Sequence, residues 1–299
     1  MISNKKILEY SIKNPEIFLD KNYMFVEKHS SLDLYINKTK KIKNILITIK
    51  ELTLKKYSQK TIEKLYIDLH QEIKKYANYS EFGCFINACD SNIDEVKRDV
   101  DLLKEITKLY IKYRDVTEIV PSEWMQALLD KGSSRRKGQI GEGKLIDILT
   151  KGGFTFTKNI EEFKKNKLSV AKSTGKFSNK GLKDNFGINI GEKKQDKKID
   201  LIIKIKNNIY FLEAKHMNTG GGGQDKQNVE YIDLIKDKAP KMNYHFVSFL
   251  DGLYFNKLFV SHKNSTKMSN QEKDIRLALR KNKNNYFINT LGFKKLFVK

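Results

Sequence analysis

Apolar residues recur at steps of three and four through the first third of the chain. Ile62, Leu65, Leu69, Ile73 and Tyr76 fall on one side of a helix, and so do Ile93, Val96, Val100, Leu103, Ile106 and Tyr110. Ser91, with Asp94 three residues on, suits the start of the second of these helices. Pro121-Ser122 opens a further short helix carrying Trp124, Leu128 and Leu129, with Trp124 a core candidate. Residues 132–137 read as a basic junction. The pattern predicts a mainly helical domain over 1–131 and a second domain over 132–299.

The period changes after the junction. Ile140, Leu145, Ile148 and Leu149 predict one more helix, ending at Gly152-Gly153, and 154–157 alternate like a strand. Residues 158–198 hold 12 lysines against five acidic residues with scattered Gly, Ser and Asn, which predicts a mobile basic insertion with little core. Two strand-like runs follow at 200–206 and 209–216, joined by a link that suits a hairpin turn at Asn207-Asn208. A glycine-rich loop occupies 220–223, a helix ends near Pro240, and strands are expected at 244–250 and 257–261. The last segment, 257–299, is again basic, with 11 basic and two acidic residues.

Composition narrows the function. The chain has 299 residues, 39% of them hydrophobic, which is enough to bury a core. Two cysteines exclude a disulfide scaffold and fit a reducing compartment. Cys84 and Cys89 lack the partners of a structural zinc site and read as small core residues. No apolar run reaches membrane-span length and no leader pattern opens the chain, so a soluble cytoplasmic protein is expected. A net charge of +22 points to a polyanionic partner, nucleic acid first. The aromatic residues in the basic tracts, Tyr286 and Phe287 among them, are candidates for stacking on bases.

The chemistry is concentrated in the hairpin. Asp200 opens one apolar run, and Glu213 and Lys215 interrupt the other. Burying such groups is costly unless a partner compensates. With Asn207-Asn208 as the turn, Asp200 faces Lys215 and all three side chains share one sheet face. Two carboxylates so placed can bridge a hard cation, and Mg²⁺ suits them, with the Ala214 carbonyl as a further ligand. Lys215 can orient a water or help deprotonate it, and can offset charge on a phosphate. The run Gly138 to Lys144 matches most of a phosphate-binding loop, but Leu145 stands where Ser or Thr is needed. His216 and His245 read as satisfied sheet histidines.

Asp200, Glu213, Ala214 and Lys215 resemble the D…E-x-K pattern of the PD-(D/E)XK nuclease superfamily, with Ile199 in place of its proline. The resemblance spans about residues 137–262. It implies an α/β core with a central mixed sheet flanked by helices, Mg²⁺ dependence and cleavage leaving a 5′-phosphate. It also implies an extra acidic residue from the preceding helix, here Glu142. Gln224 or Gln227, at the start of the helix after the E-x-K strand, is a candidate contact to the phosphate or the water. Type II restriction enzymes are the best match. That match implies a homodimer acting at a specific site on double-stranded DNA, and a companion methyltransferase that acts on the same site without needing to bind this chain. The helical domain would then recognise DNA, dimerise, or both. A repair or recombination nuclease on the same core, and a non-catalytic nucleic-acid-binding protein, are the alternative readings.

Overall fold

The computed structural model describes residues 2–132, 134–189, 199–218, 232–259 and 266–298, apart from the side chains of 74–76, 134–136 and 139. The chain divides into two units: Phe25–Ser134, and Met1–Met24 together with Arg135–Lys299. The boundary therefore differs from the one the sequence predicts near 131, because the first 24 residues belong with the C-terminal unit. Helix α1 (Asn4–Lys13) explains this. It buries Ile7 and Leu8 in the cores of that unit, and the Asn4 side-chain amide donates to the Leu279 carbonyl at 2.9 Å.

The helical unit holds α2 (Leu32–Leu54), α3 (Gln59–Tyr76), α4 (Glu81–Ala88), α5 (Ile93–Val96), α6 (Val100–Tyr113) and α7 (Ser122–Lys131). Leu46, Leu69, Ile73, Ile86, Val96, Leu103 and Tyr110 meet in its core. The single helix expected from 93 to 110 is two. Asn92, rather than Ser91, caps α5, and Asp99 accepts from the amides of Asp101 and Leu102 and so starts α6 afresh. Two core expectations fail here, since Trp124 is 71% exposed and Cys84 is exposed, whereas Cys89 is partly buried and packs against the core. Trp124 lies on α7, whose buried residues are Met125 and Leu129.

The other unit is a mixed six-stranded sheet in sequential order with helices on both faces. Its strands are β1 (Thr155–Phe156), β2 (Leu168–Lys172), β3 (Leu201–Ile205), β4 (Asn208–His216), β5 (Tyr244–Asp251) and β6 (Tyr286–Ile288). The β2–β3 and β3–β4 pairs are antiparallel and the other three are parallel. Leu201, Ile203, Leu212, Val247 and Phe249 face Leu145 and Leu149 of α8 (Ser134–Lys151). Ile202, Phe211 and Phe246 face the opposite layer.

That opposite layer overturns the expectation of a coreless insertion. Residues 158–189 form α9 (Ile160–Lys165), β2 and α10 (Asn179–Phe186). Phe163, Phe177 and Phe186 pack edge-to-face or stacked at 5.1–6.4 Å and seal the sheet. The lysine count hides this because the few apolar residues all turn inward while the charges stay outside. The remainder of the insertion, 190–198, lies outside the described residues. At 253–259 a helix replaces the strand expected from 257, since Tyr254, Phe255, Leu258 and Phe259 bury one helical face. Tyr286 and Phe287 are fully buried in β6 and present no face to a base.

Candidate active site

The hairpin turns one residue earlier than the sequence suggests. Ile205 pairs with Asn208, leaving Lys206-Asn207 as the two-residue loop. Lys206 has φ of 54°, in the positive region that favours glycine. Leu201 consequently pairs with Leu212, so Asp200 does not oppose Lys215 as expected. The amide of Asp200 also donates to the Leu212 carbonyl, at 2.9 Å. Two successive residues thus address one partner, as in a β-bulge, a device that re-aims a side chain.

The re-aimed carboxylate meets the middle of the E-x-K triplet. Its Oδ2 accepts from the Ala214 amide at 2.7 Å. Two residues apart on β4, Lys215 lies 3.4 Å from the buried Glu213 carboxylate. Asp200 is half-buried, and loss of hydration, reinforced by the nearby negative charge of Glu142, pushes its carboxyl up to about 6. The Ala214 amide and the positive charges of Lys215 and Lys172 oppose that shift. Glu142, one turn before the buried Leu145 of α8, pairs with Lys172 at the end of β2, 3.2 Å away. Glu142, Lys172 and Asp200 line one pocket of about 420 Å³, walled further by the turn after β2 and the start of α10.

The structure therefore gathers Asp200, Glu213, Ala214, Lys215 and Glu142 at one end of the sheet. Gln224 and Gln227 lie outside the described residues. The phosphate-loop-like run is not a loop at all but part of α8, and Lys144 within it is buried. The Lys144 ammonium bonds Asp20 at 2.8 Å, Asp251 at 3.0 Å and Thr290 at 3.1 Å. Asp251 also takes the Tyr23 hydroxyl and His216 Nδ1, both at 2.7 Å, and the Tyr23 and His216 rings stack at 3.6 Å. His216 is thus a satisfied sheet histidine, as expected. So is His245, held by the Asn284 carbonyl and the Asn208 side chain. Gly141 leaves room for this cluster, since a Cβ there would stand 3.1 Å from the Tyr23 hydroxyl. Sequence reasoning missed the cluster because its members are scattered from residue 20 to residue 290.

Among the described residues, no three His, Cys, Asp or Glu side chains are grouped as a metal cage. A cage is not what Mg²⁺ requires, because it binds through one or two carboxylates and completes its shell with water and substrate oxygens. The donor set at the hairpin fits that rule. A carboxyl raised by burial beside a second acid is relieved by a divalent cation.

A mixed sheet with helices on both faces thus brings two acids and a lysine together where β3 and β4 meet. Residues 150–290 match the DpnII restriction endonuclease family, a span that runs from β1 through β6 and includes the whole hairpin. No curated protein matches the chain. No helix among the described residues is long and apolar enough to cross a membrane.

Proposed function

We propose that the protein is a Mg²⁺-dependent, site-specific endonuclease that hydrolyses phosphodiester bonds of double-stranded DNA. The observation that carries this reading is the Asp200 carboxylate docked on the amide of Ala214, between Glu213 and Lys215, beside the apolar middle of a strand pair. Asp200, Glu213 and the Ala214 carbonyl would hold the metal, which when bound would polarise the phosphate and lower the pKa of a water. Lys215 orients that water, helps take its proton, and offsets charge on the pentavalent phosphate. Glu142 adds negative charge beside Asp200 and strengthens the attraction for a cation. Gln227 is assigned a contact to the phosphate or the attacking water. A homodimer would place one such site on each strand, and a methyltransferase of matching specificity would protect the host's own DNA. A chain so basic, with no membrane-crossing helix among its described residues, fits work on DNA in the cytoplasm.

A plasmid digest tests the reading. Discrete bands in Mg²⁺ that vanish in EDTA support it. Retardation of intact DNA in both Mg²⁺ and Mn²⁺ would replace it with a binding protein, and cutting confined to branched or mismatched substrates with a repair nuclease.

A further inference from the structure

We propose that the pocket beside Asp200 binds a second backbone phosphate, that of the nucleotide adjoining the bond to be cut, and that Lys172 leaves its ion pair with Glu142 to hold it. This rests on the nuclease reading and adds a strand-binding subsite to it. The pocket is lined by both signs of charge. Glu142 and Asp200 contribute carboxylates, and Lys172 and Lys180 contribute ammonium groups, with Ser173 and Thr174 beside them. A lone anion would be repelled by the carboxylates and a lone cation by the lysines. A phosphodiester accompanied by a divalent cation satisfies both. Ile199 is the one apolar residue among the described residues that line it.

The wall is fixed to the catalytic strand. The Ser173 amide donates to the Asp200 carbonyl at 3.0 Å, and the Ser173 hydroxyl donates to the Phe177 carbonyl at 3.0 Å. Phe177 is in turn locked in the aromatic cluster beneath the sheet. The turn and Asp200 thus keep a set spacing, which a subsite one nucleotide from the scissile bond requires. The Lys172–Glu142 pair is the movable part. Their side chains are 39% and 30% exposed, so the pair is weakened by water and is readily exchanged. A phosphate oxygen offers Lys172 a charge-assisted hydrogen bond of the same kind as the one it leaves. The exchange also frees Glu142 to face the cation.

Thymidine 3′,5′-bisphosphate tests this with no knowledge of the recognition sequence. Its binding to the full chain in Mg²⁺, measured by calorimetry, is expected to be about tenfold tighter than that of either thymidine monophosphate. Lys172→Ala should erase that advantage, Lys172→Arg should keep most of it, and Lys180→Ala should reduce it. Circular dichroism of each variant confirms that it is folded. Glu142→Gln, by releasing Lys172, should tighten binding in EDTA, and only while Lys172 is present. Equal affinity for bisphosphate and monophosphates, or a folded Lys172→Ala that binds like wild type, overturns the subsite. A Glu142→Gln gain that persists without Lys172 overturns the exchange. Plasmid cleavage by wild type separates the two readings. Lys172-dependent bisphosphate binding without cutting sinks the nuclease and keeps the pocket, and cutting without it does the reverse.

Discussion

Asp200 carries the sharpest consequences. Its Ala substitution, like that of Lys215, is expected to lower plasmid cleavage by about a hundredfold or more while leaving DNA binding largely intact, as gel retardation would show. Its ionisation also affects the fold. The folded chain holds the Asp200 proton more tightly than the unfolded chain, so this contribution favours folding at low pH and is lost as pH rises through about 6. Asp200→Asn should therefore stabilise the metal-free protein at pH 7, by an upper limit of roughly 3 kcal/mol. It should also abolish any stabilisation by Mg²⁺; both effects are readable in thermal melts. By the same titration, Mg²⁺ binding by the metal-free wild type should weaken as pH falls below about 6, as calorimetry would show. Elsewhere in this unit, Asp251→Ala strips buried Lys144 of one of its two carboxylates and should cost about 3–5 kcal/mol in urea denaturation. These two sites were unequally legible. Asp200, Glu213 and Lys215 stand out because charge inside apolar strands demands an explanation. Asp251, Lys144, Tyr23 and His216 form a site only once the chain has folded, and no local pattern joins them.

The hairpin shows how an error at the level of elements can leave part of a conclusion standing. The turn falls at Lys206-Asn207, so each β3 residue meets a partner two positions earlier on β4 than the sequence suggests. A shift of two preserves which face each side chain occupies, whereas a shift of one would have reversed it. Glu213 and Lys215 therefore stay together, and the bulge at Asp200 then brings the third group in by a route that alternation does not foresee. The turn itself is testable. Lys206 occupies a backbone region that favours glycine, and Lys206→Gly should raise stability by about 0.5–1 kcal/mol in chemical denaturation. Residues 158–189 were illegible for a different reason. Net charge describes the outward side chains, and Phe163, Phe177, Leu182 and Phe186 are too widely spaced along the chain to form a period.

For the whole molecule, the excess of 58 basic over 36 acidic residues should govern how DNA is met. Affinity for a labelled duplex is expected to fall steeply and linearly on a log–log plot against salt, with a slope near −0.9 per phosphate contacted. A flat response would detach the charge from DNA binding. The division into units was partly legible: the change of period near 132 marks one crossing, while the return of 1–24 to the sheet leaves no mark in the sequence.

The contacts of α1 also bear on how the protein is made. Asn4 is tied to the Leu279 carbonyl, 275 residues away, and Ile7 lies in one core with Phe293. On a translating ribosome α1 is therefore made well before the segments it packs against. Its apolar stripe waits, uncovered or shielded by a chaperone, until residues 279–293 have emerged.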